Sequence, residues 1–308
     1  MKILHIISFA ITTLELVVAN VSFEIPKLRL FNSTNQKQNS DDDQAIVPNI
    51  INGVQPDSGE FGFAAQVFYK YQGQYQFVCG GALISDSYVV TAGHCVIING
   101  VLSAPSDMMV IVGSSILRNP NAPGASYYSV VKVNPGDYAS NRAHDVALLK
   151  LATPVPSSVA TPVKVYPYRM DPGMQAQVAG WGVYNMNIPM PSMNLLKTTV
   201  DISSSSNCTL YNGNWKSNFG PLLCQENYNG NDSCQGDSGG PLVMTINGIQ
   251  ALVGITSKGG NKDPYATNLC GYNTIAYYSR TAFFLRFIAD ELGVKMRDLA
   301  VPMDMLTD

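Results

Sequence analysis

The stretch Asn231-Asp-Ser-Cys-Gln-Gly-Asp-Ser-Gly-Gly-Pro-Leu242 sets one serine, Ser238, directly behind an aspartate and ahead of two glycines. A hydroxyl on such a turn is either part of an ordinary bend or a nucleophile held where backbone can approach without side chains in the way. The two readings differ in what the rest of the chain must supply. A serine hydroxyl attacks a carbonyl only when a neutral imidazole takes its proton, and the imidazole needs an acid to fix its tautomer and stabilise its cation.

Gly236-Asp-Ser-Gly-Gly240 also satisfies G-x-S-x-G, the nucleophile elbow of α/β-hydrolases. That fold places its histidine after the serine, whereas His5, His94 and His144, the chain's three histidines, all precede Ser238. The elbow reading therefore fails. His94 lies in Val90-Thr-Ala-Gly-His-Cys95 and His144 in Ala143-His-Asp-Val-Ala-Leu-Leu-Lys-Leu151. His144 neighbours Asp145 in an extended segment, where successive side chains point to opposite faces, so those two form a poor relay. His94 is the better base and Asp145 the better orienting acid.

Composition sets the frame for that chemistry. With 46% apolar and 13% charged residues in 308, the chain can bury a large core and has no disordered or collagen-like bias. A net charge of -3 without Lys/Arg clusters gives no electrostatic footprint for nucleic acid or an anionic membrane. Residues 1–19 combine one early lysine, a short interrupted apolar run and small side chains at Val17 and Ala19, which reads as a secretory signal peptide. The expected location is secreted and extracellular, with no membrane partner. Six cysteines in a secreted chain suggest up to three disulfides, and 15 pairings are open to arithmetic alone. No cysteines form a C-x-x-C pair, and the loop after Gly113 through Ser126 lacks carboxylates for calcium, so neither a metal nor another cofactor is expected. Sequons at Asn32 and Asn207 are candidate glycan sites.

Residues 20–49 are polar and aperiodic, with Asn32-Ser-Thr-Asn-Gln-Lys-Gln-Asn-Ser-Asp-Asp-Asp-Gln44 at their centre, and read as a loosely attached leader. From Ile50 the texture changes to short β-rich runs at 63–69, 81–84, 88–91, 108–112, 127–133, 146–151, 176–179, 196–200, 242–245 and 249–255. Such runs without intervening helices predict an antiparallel sandwich or barrel. One helix is predicted over 280–292, with Phe284, Phe287 and Ile288 at helical spacing and Gly293 as its stop.

The order His, Asp, Ser in TAGHC, HDVALLKL and GDSGGP closely resembles the trypsin/chymotrypsin family of serine proteases, as do Cys79-Gly-Gly-Ala-Leu-Ile-Ser85 and Val178-Ala-Gly-Trp-Gly182. The resemblance implies an all-β fold of two packed six-stranded antiparallel Greek-key β-barrels with a C-terminal α-helix. It makes residues 50–308 a serine protease domain with its site in the cleft between the barrels. Ser238 would attack the scissile carbonyl, His94 would shuttle the proton, and Asp145 would hold His94. The N–H groups of Gly236 and Ser238 would form the oxyanion hole. The implied disulfides are Cys79–Cys95, Cys208–Cys224 and Cys234–Cys270.

A zymogen is implied as well. Residues 20–49 become an activation propeptide, Ile50-Ile-Asn-Gly53 the new N-terminus and Asp237 the partner of its ammonium. Asn49 stands where the family commonly has arginine or lysine, so the expected activating protease is one able to cut after Asn49. Asp232 falls at the base of the specificity pocket, with Ser233, Gly259 and Ala276 as its other expected members. That carboxylate predicts cleavage after Arg or Lys. Chymotrypsin-like or collagenolytic specificity is the alternative within the enzyme class, and an inactive homologue acting as a binding or cascade cofactor is the alternative outside it. Ala276 replaces a pocket-wall glycine and would narrow the pocket, Lys258 replaces an aromatic residue, and the loop from Gly260 to Leu269 is long. Ser257 and Gly259 would pair with an extended substrate. The expected partners are protein or peptide substrates, the activating protease and protein protease inhibitors.

Overall fold

Short apolar runs punctuated by Gly, Asn and Pro pair here into two closed barrels. In the first, β1 (Ala64–Tyr71), β2 (Gln74–Ser85), β3 (Tyr88–Thr91), β4 (Met108–Val112), β5 (Tyr128–Asn134) and β6 (Ala147–Leu151) follow the order β1-β2-β3-β6-β5-β4 and close through β4–β1. The second is built from β7 (Gln175–Gly180), β8 (Leu196–Ser203), β9 (Leu222–Asn227), β10 (Pro241–Ile246), β11 (Ile249–Asn261) and β12 (Thr274–Arg280). Its order, β7-β8-β9-β12-β11-β10, repeats the first and closes through β10–β7. This is the paired-barrel, all-β fold that the resemblance implied. The computed structural model describes residues 50–185, 188–302 and 305. The expected signal peptide over 1–19, the expected propeptide over 20–49 with Asn49, and the Asn32 sequon lie outside the described residues.

Strand alternation explains how runs without polar interruptions are buried on both faces. In β4, Met108, Val110 and Val112 enter the first barrel's core while Met109 and Ile111 pack outside it with Phe68 and Phe77. Trp181, Val243 and Ile255 join the same apolar cluster as the first barrel, so the two barrels are packed directly together. The terminal helix (Thr281–Leu292) buries Phe284, Leu285, Ile288 and Ala289. Gly293 ends it at φ 69°, its N–H turned back to the Ala289 and Asp290 carbonyls.

Strands β9 and β12 have no counterpart among the runs read from sequence. Polar residues hid the β9 pattern. Gln225 and Asn227 are buried with their hydrogen bonds made: the Gln225 carbonyl accepts from Tyr278 Oη at 2.6 Å, and the Asn227 amide donates to the Gly271 carbonyl at 2.5 Å. The single expected helix also has short companions, at Ser206–Tyr211 and at Met296–Leu299. The second of these anchors the tail, because Leu299 and Val301 are buried and the Val301 N–H donates to the Val165 carbonyl at 2.9 Å. The six cysteines pair as Cys79–Cys95, Cys208–Cys224 and Cys234–Cys270.

Candidate active site

His94 sits in a single 3₁₀ turn, Gly93–Cys95, directly after β3. The Cys79–Cys95 disulfide ties that turn to β2. Tyr138 packs so closely on Gly93 that a side-chain carbon there would lie 2.6 Å from the tyrosine Cβ. Asp145 precedes β6, and alternation separates it from its neighbour. His144 turns outward to Asp137, 2.8 Å away, and to the rings of Phe283 and Phe284, while Asp145 turns inward and is 3% exposed. Asp145 Oδ2 accepts from His94 Nδ1 at 2.8 Å and Oδ1 from the His94 backbone N–H at 2.9 Å. An acid at Nδ1 assigns the proton to that nitrogen and leaves Nε2 with its lone pair.

A second donor reaches Asp145 that the sequence reading missed. Strand β11 has a bulge between Thr256 and Lys258 in its pairing with β12. The bulge turns Ser257 inward, and Ser257 Oγ donates to Asp145 Oδ2 at 2.6 Å. Burial pushes the Asp145 carboxyl up; the hydrogen bonds from His94 and Ser257 outweigh it and hold the group below its ordinary value. Alternation could not reveal this contact, because a bulge leaves no sequence signature.

Ser238 lies between the barrels. Its carbonyl accepts from Gly80 N at 2.8 Å in β2, and the next residue, Gly239, donates to the Thr256 carbonyl at 2.8 Å in β11. A Cβ on Gly239 would meet Thr91 Oγ1 and Ala92 N, so the serine turn rests on the segment leading to His94. Among the described residues Ser238 Oγ makes no hydrogen bond, and it is not joined to His94 Nε2. Gly236 holds φ at 96°, and neither its N–H nor that of Ser238 donates to a described protein acceptor. Two free donors on one tight turn suit an oxyanion.

Asp237 points away from Ser238 and is fully buried. Its carboxylate accepts from Gly182 N and Cys234 N, each at 2.8 Å. A side chain at Gly182 would collide with it, a Cβ there lying 2.5 Å from the carboxyl carbon. Burial, reinforced weakly by Asp232, pushes its pKa up to about 7. Ile50 is also fully buried, and Ile51 bridges to Asp232. No cation pairs with Asp237 among the described residues.

Asp232 is 2% exposed; its Oδ2 accepts from Thr274 Oγ1 at 2.6 Å and Gly271 N at 3.0 Å. Its Oδ1 is buried without a hydrogen-bond partner, and burial pushes the group up to about 6 despite those donors. Ser233 is buried beside it, with Oγ 3.4 Å from Tyr278 Oη. Gly259 pairs with Ala276 across β11 and β12, and the Ala276 methyl lies 3.4 Å from where a Gly259 Cβ would stand. The Cys234–Cys270 disulfide joins the two sides of this wall. Asn207 sits apart at the start of the 206–211 helix, where its amide donates to Glu226 at 2.8 Å. Lys262, in the long loop, is tied to the same Glu226 at 3.3 Å.

Residues 50–282 match the family described as Trypsin. The chain is 33% identical over 260 residues to "Serine protease Hayan" of Drosophila melanogaster, covering 79% of this chain and 39% of that protein. It is 29% identical over 211 residues to "Serine protease SP24D" of Anopheles gambiae, covering 68% of this chain and 70% of that one. The chain thus spans well under half the length of the first relative. With its two barrels of repeated strand order and a match that runs from Ile50 into the terminal helix, the chain belongs to the trypsin family of serine proteases.

Proposed function

We propose that the chain is a secreted serine endopeptidase, made as a zymogen, that cleaves protein substrates after Arg or Lys. The observation that carries the catalytic part is the buried Asp145 bound to His94 Nδ1, which leaves Nε2 basic in the cleft that holds Ser238. Ser238 Oγ attacks the scissile carbonyl as its proton passes to Nε2. The oxyanion collects the Gly236 and Ser238 N–H groups, and His94 then returns the proton to the leaving amine. Water deacylates the serine by the same proton path. The contact between a nucleophile and its base commonly tightens only with substrate bound, so the open Ser238–His94 gap is compatible with this sequence of steps.

Activation rests on Asp237 and Ile50. A fully buried carboxylate without a cation is costly, and an α-ammonium released at Ile50 is a group able to answer it. The uncut chain holds Ile50 at φ 45°, an uncommon conformation for a β-branched residue that costs about 1–3 kcal/mol. Cutting the bond before Ile50 removes the carbonyl that makes this conformation strained. Specificity for a basic residue rests on Asp232, whose unpartnered Oδ1 would take an ammonium or guanidinium.

The test combines N-terminal sequencing of the active form with labelling by a fluorophosphonate probe and a peptide-library profile. The expected result is an Ile50 start, a label on Ser238 that His94→Ala abolishes, and cleavage after Arg or Lys. A different start defeats the activation scheme, and aromatic or leucine preference defeats the specificity. The missing Ser238–His94 hydrogen bond favours a second reading, a non-catalytic homologue that binds partners; an unlabelled Ser238 in the cut chain would establish it.

A further inference from the structure

Two cations stand at the edge of the His94–Asp145–Ser257 network. The Arg142 guanidinium lies 4.4 Å from the ring centroid of Tyr138, whose ring centre is in turn 6.5 Å from that of His94. Stacking restricts Arg142, which remains exposed. Lys258 directly follows Ser257 and is exposed where Ser257 is buried. Burial of part of its stem pushes its ammonium down, and the nearby Asp145 charge acts in the opposite direction. Among the described residues neither cation has a carboxylate within 4.0 Å, although the whole chain carries a net charge of -3. Each unpaired cation thus flanks the catalytic network by its own route, Arg142 through Tyr138 and Lys258 through its neighbour Ser257.

The direction of a bound substrate follows from the site. The residue before the scissile bond must send its side chain toward Asp232 while its carbonyl faces Ser238. On the proteolytic reading the chain preceding it would pair with the edge at Ser257–Gly259, which carries the exposed Lys258. We infer that this side of the cleft selects substrates with acidic side chains at the second to fourth residues before the cleaved bond. The inference rests on the proteolytic reading above and names its substrate class: an acidic run ending in a basic residue. Exposed charges of this kind act through complementarity and association, and their effect is screened by salt.

The test uses the chain cut before Ile50 and three fluorogenic peptides, Asp-Asp-Asp-Arg, Ala-Ala-Ala-Arg and Lys-Lys-Lys-Arg. At low ionic strength kcat/KM is expected to favour the acidic peptide over the alanine one by roughly three- to tenfold, with the lysine peptide poorest. The ratio should shrink in 0.5 M salt and collapse to near one in the Arg142→Ala/Lys258→Ala double variant. A preference for the alanine or lysine peptide, or an acidic preference that survives the double substitution, overturns the inference. Probe labelling separates the two claims: labelled enzyme without acidic preference defeats only this inference. If Ser238 stays unlabelled, binding of the Asp-Asp-Asp-Arg peptide to the same chain, with and without the double substitution, still decides it; equal or absent binding in both overturns it.

Discussion

At the scale of single residues, Asp145 shows how a buried carboxylate is kept charged. His94 contributes two donors and Ser257 a third, and Ser279 Oγ fixes the segment by donating to the Asp145 carbonyl at 2.6 Å. Replacing Ser257 by Ala removes the shortest donor to the carboxylate but leaves the backbone edge for substrate. The expected result is a kcat lower by roughly tenfold with KM little changed, and recovery in Ser257→Thr. A kcat within twofold of the parent would show that the hydroxyl is incidental. Asp145→Asn asks Nδ1 to accept where it now donates, and about 10⁴ in kcat should go, as in this family's triad. The Ala276 methyl facing Gly259 makes a separate claim. Ala276→Gly is expected to raise kcat/KM on Arg and Lys substrates several-fold, and unchanged kinetics would place the methyl outside the pocket. His94 and Asp145 could be paired in the sequence because alternation sends His144 and Asp145 to opposite faces, and Ser238 stood out by the glycine turn around it. The Ser257–Asp145 contact, Tyr138 and Arg142 could not, because a bulge and a ring packed on Gly93 join them to the site without any motif.

At the scale of elements, the strands legible in the sequence were those whose alternation or apolar run survives without partners, such as β3 and β4. Strand β9 was illegible because its core positions include Gln225 and Asn227, whose polarity is satisfied only by Tyr278 and Gly271, far along the chain. The tail was unreadable for a related reason: Leu299 and Val301 are buried by Val165 and its surroundings, a contact of long sequence separation. The loop between β11 and β12 is held by Cys234–Cys270, a bridge of sequence separation 36. Replacing both cysteines by Ser should cost about 3–4 kcal/mol by the chain-entropy relation, read as a lower midpoint in urea. Because that bridge joins the walls around Asp232, KM for Arg substrates should rise more than kcat falls. A stability loss with unchanged KM would confine the disulfide to a structural task.

At the scale of the molecule, the second barrel encloses two carboxyl groups whose protons are held far up the pH scale. Burial pushes Asp237 up to about 7 and Asp232 up to about 6. A carboxyl with a folded pKa above its unfolded value near 4 binds more protons folded than unfolded. Its contribution to stability is therefore largest in acid and is lost as pH rises through the folded pKa. Asp145 has the opposite sign, its stabilisation present above the ordinary carboxylate range and lost below it, so it adds no slope between pH 5 and 8. The uncut chain should accordingly lose about 4 kcal/mol between pH 5 and 8, about 3 through Asp237 and about 1 through Asp232, or roughly 8–16 °C in thermal midpoint. On the proposed activation, cutting before Ile50 would supply an ammonium that pulls the Asp237 pKa down and removes its share of that slope. Asp232 is common to both forms, so the difference between them isolates Asp237. The comparison needs Ser238→Ala in both, to prevent self-digestion, and Asn49→Arg so that trypsin can make the cut. A shallower decline in the cut form is expected, and identical slopes would show that the new terminus never reaches Asp237.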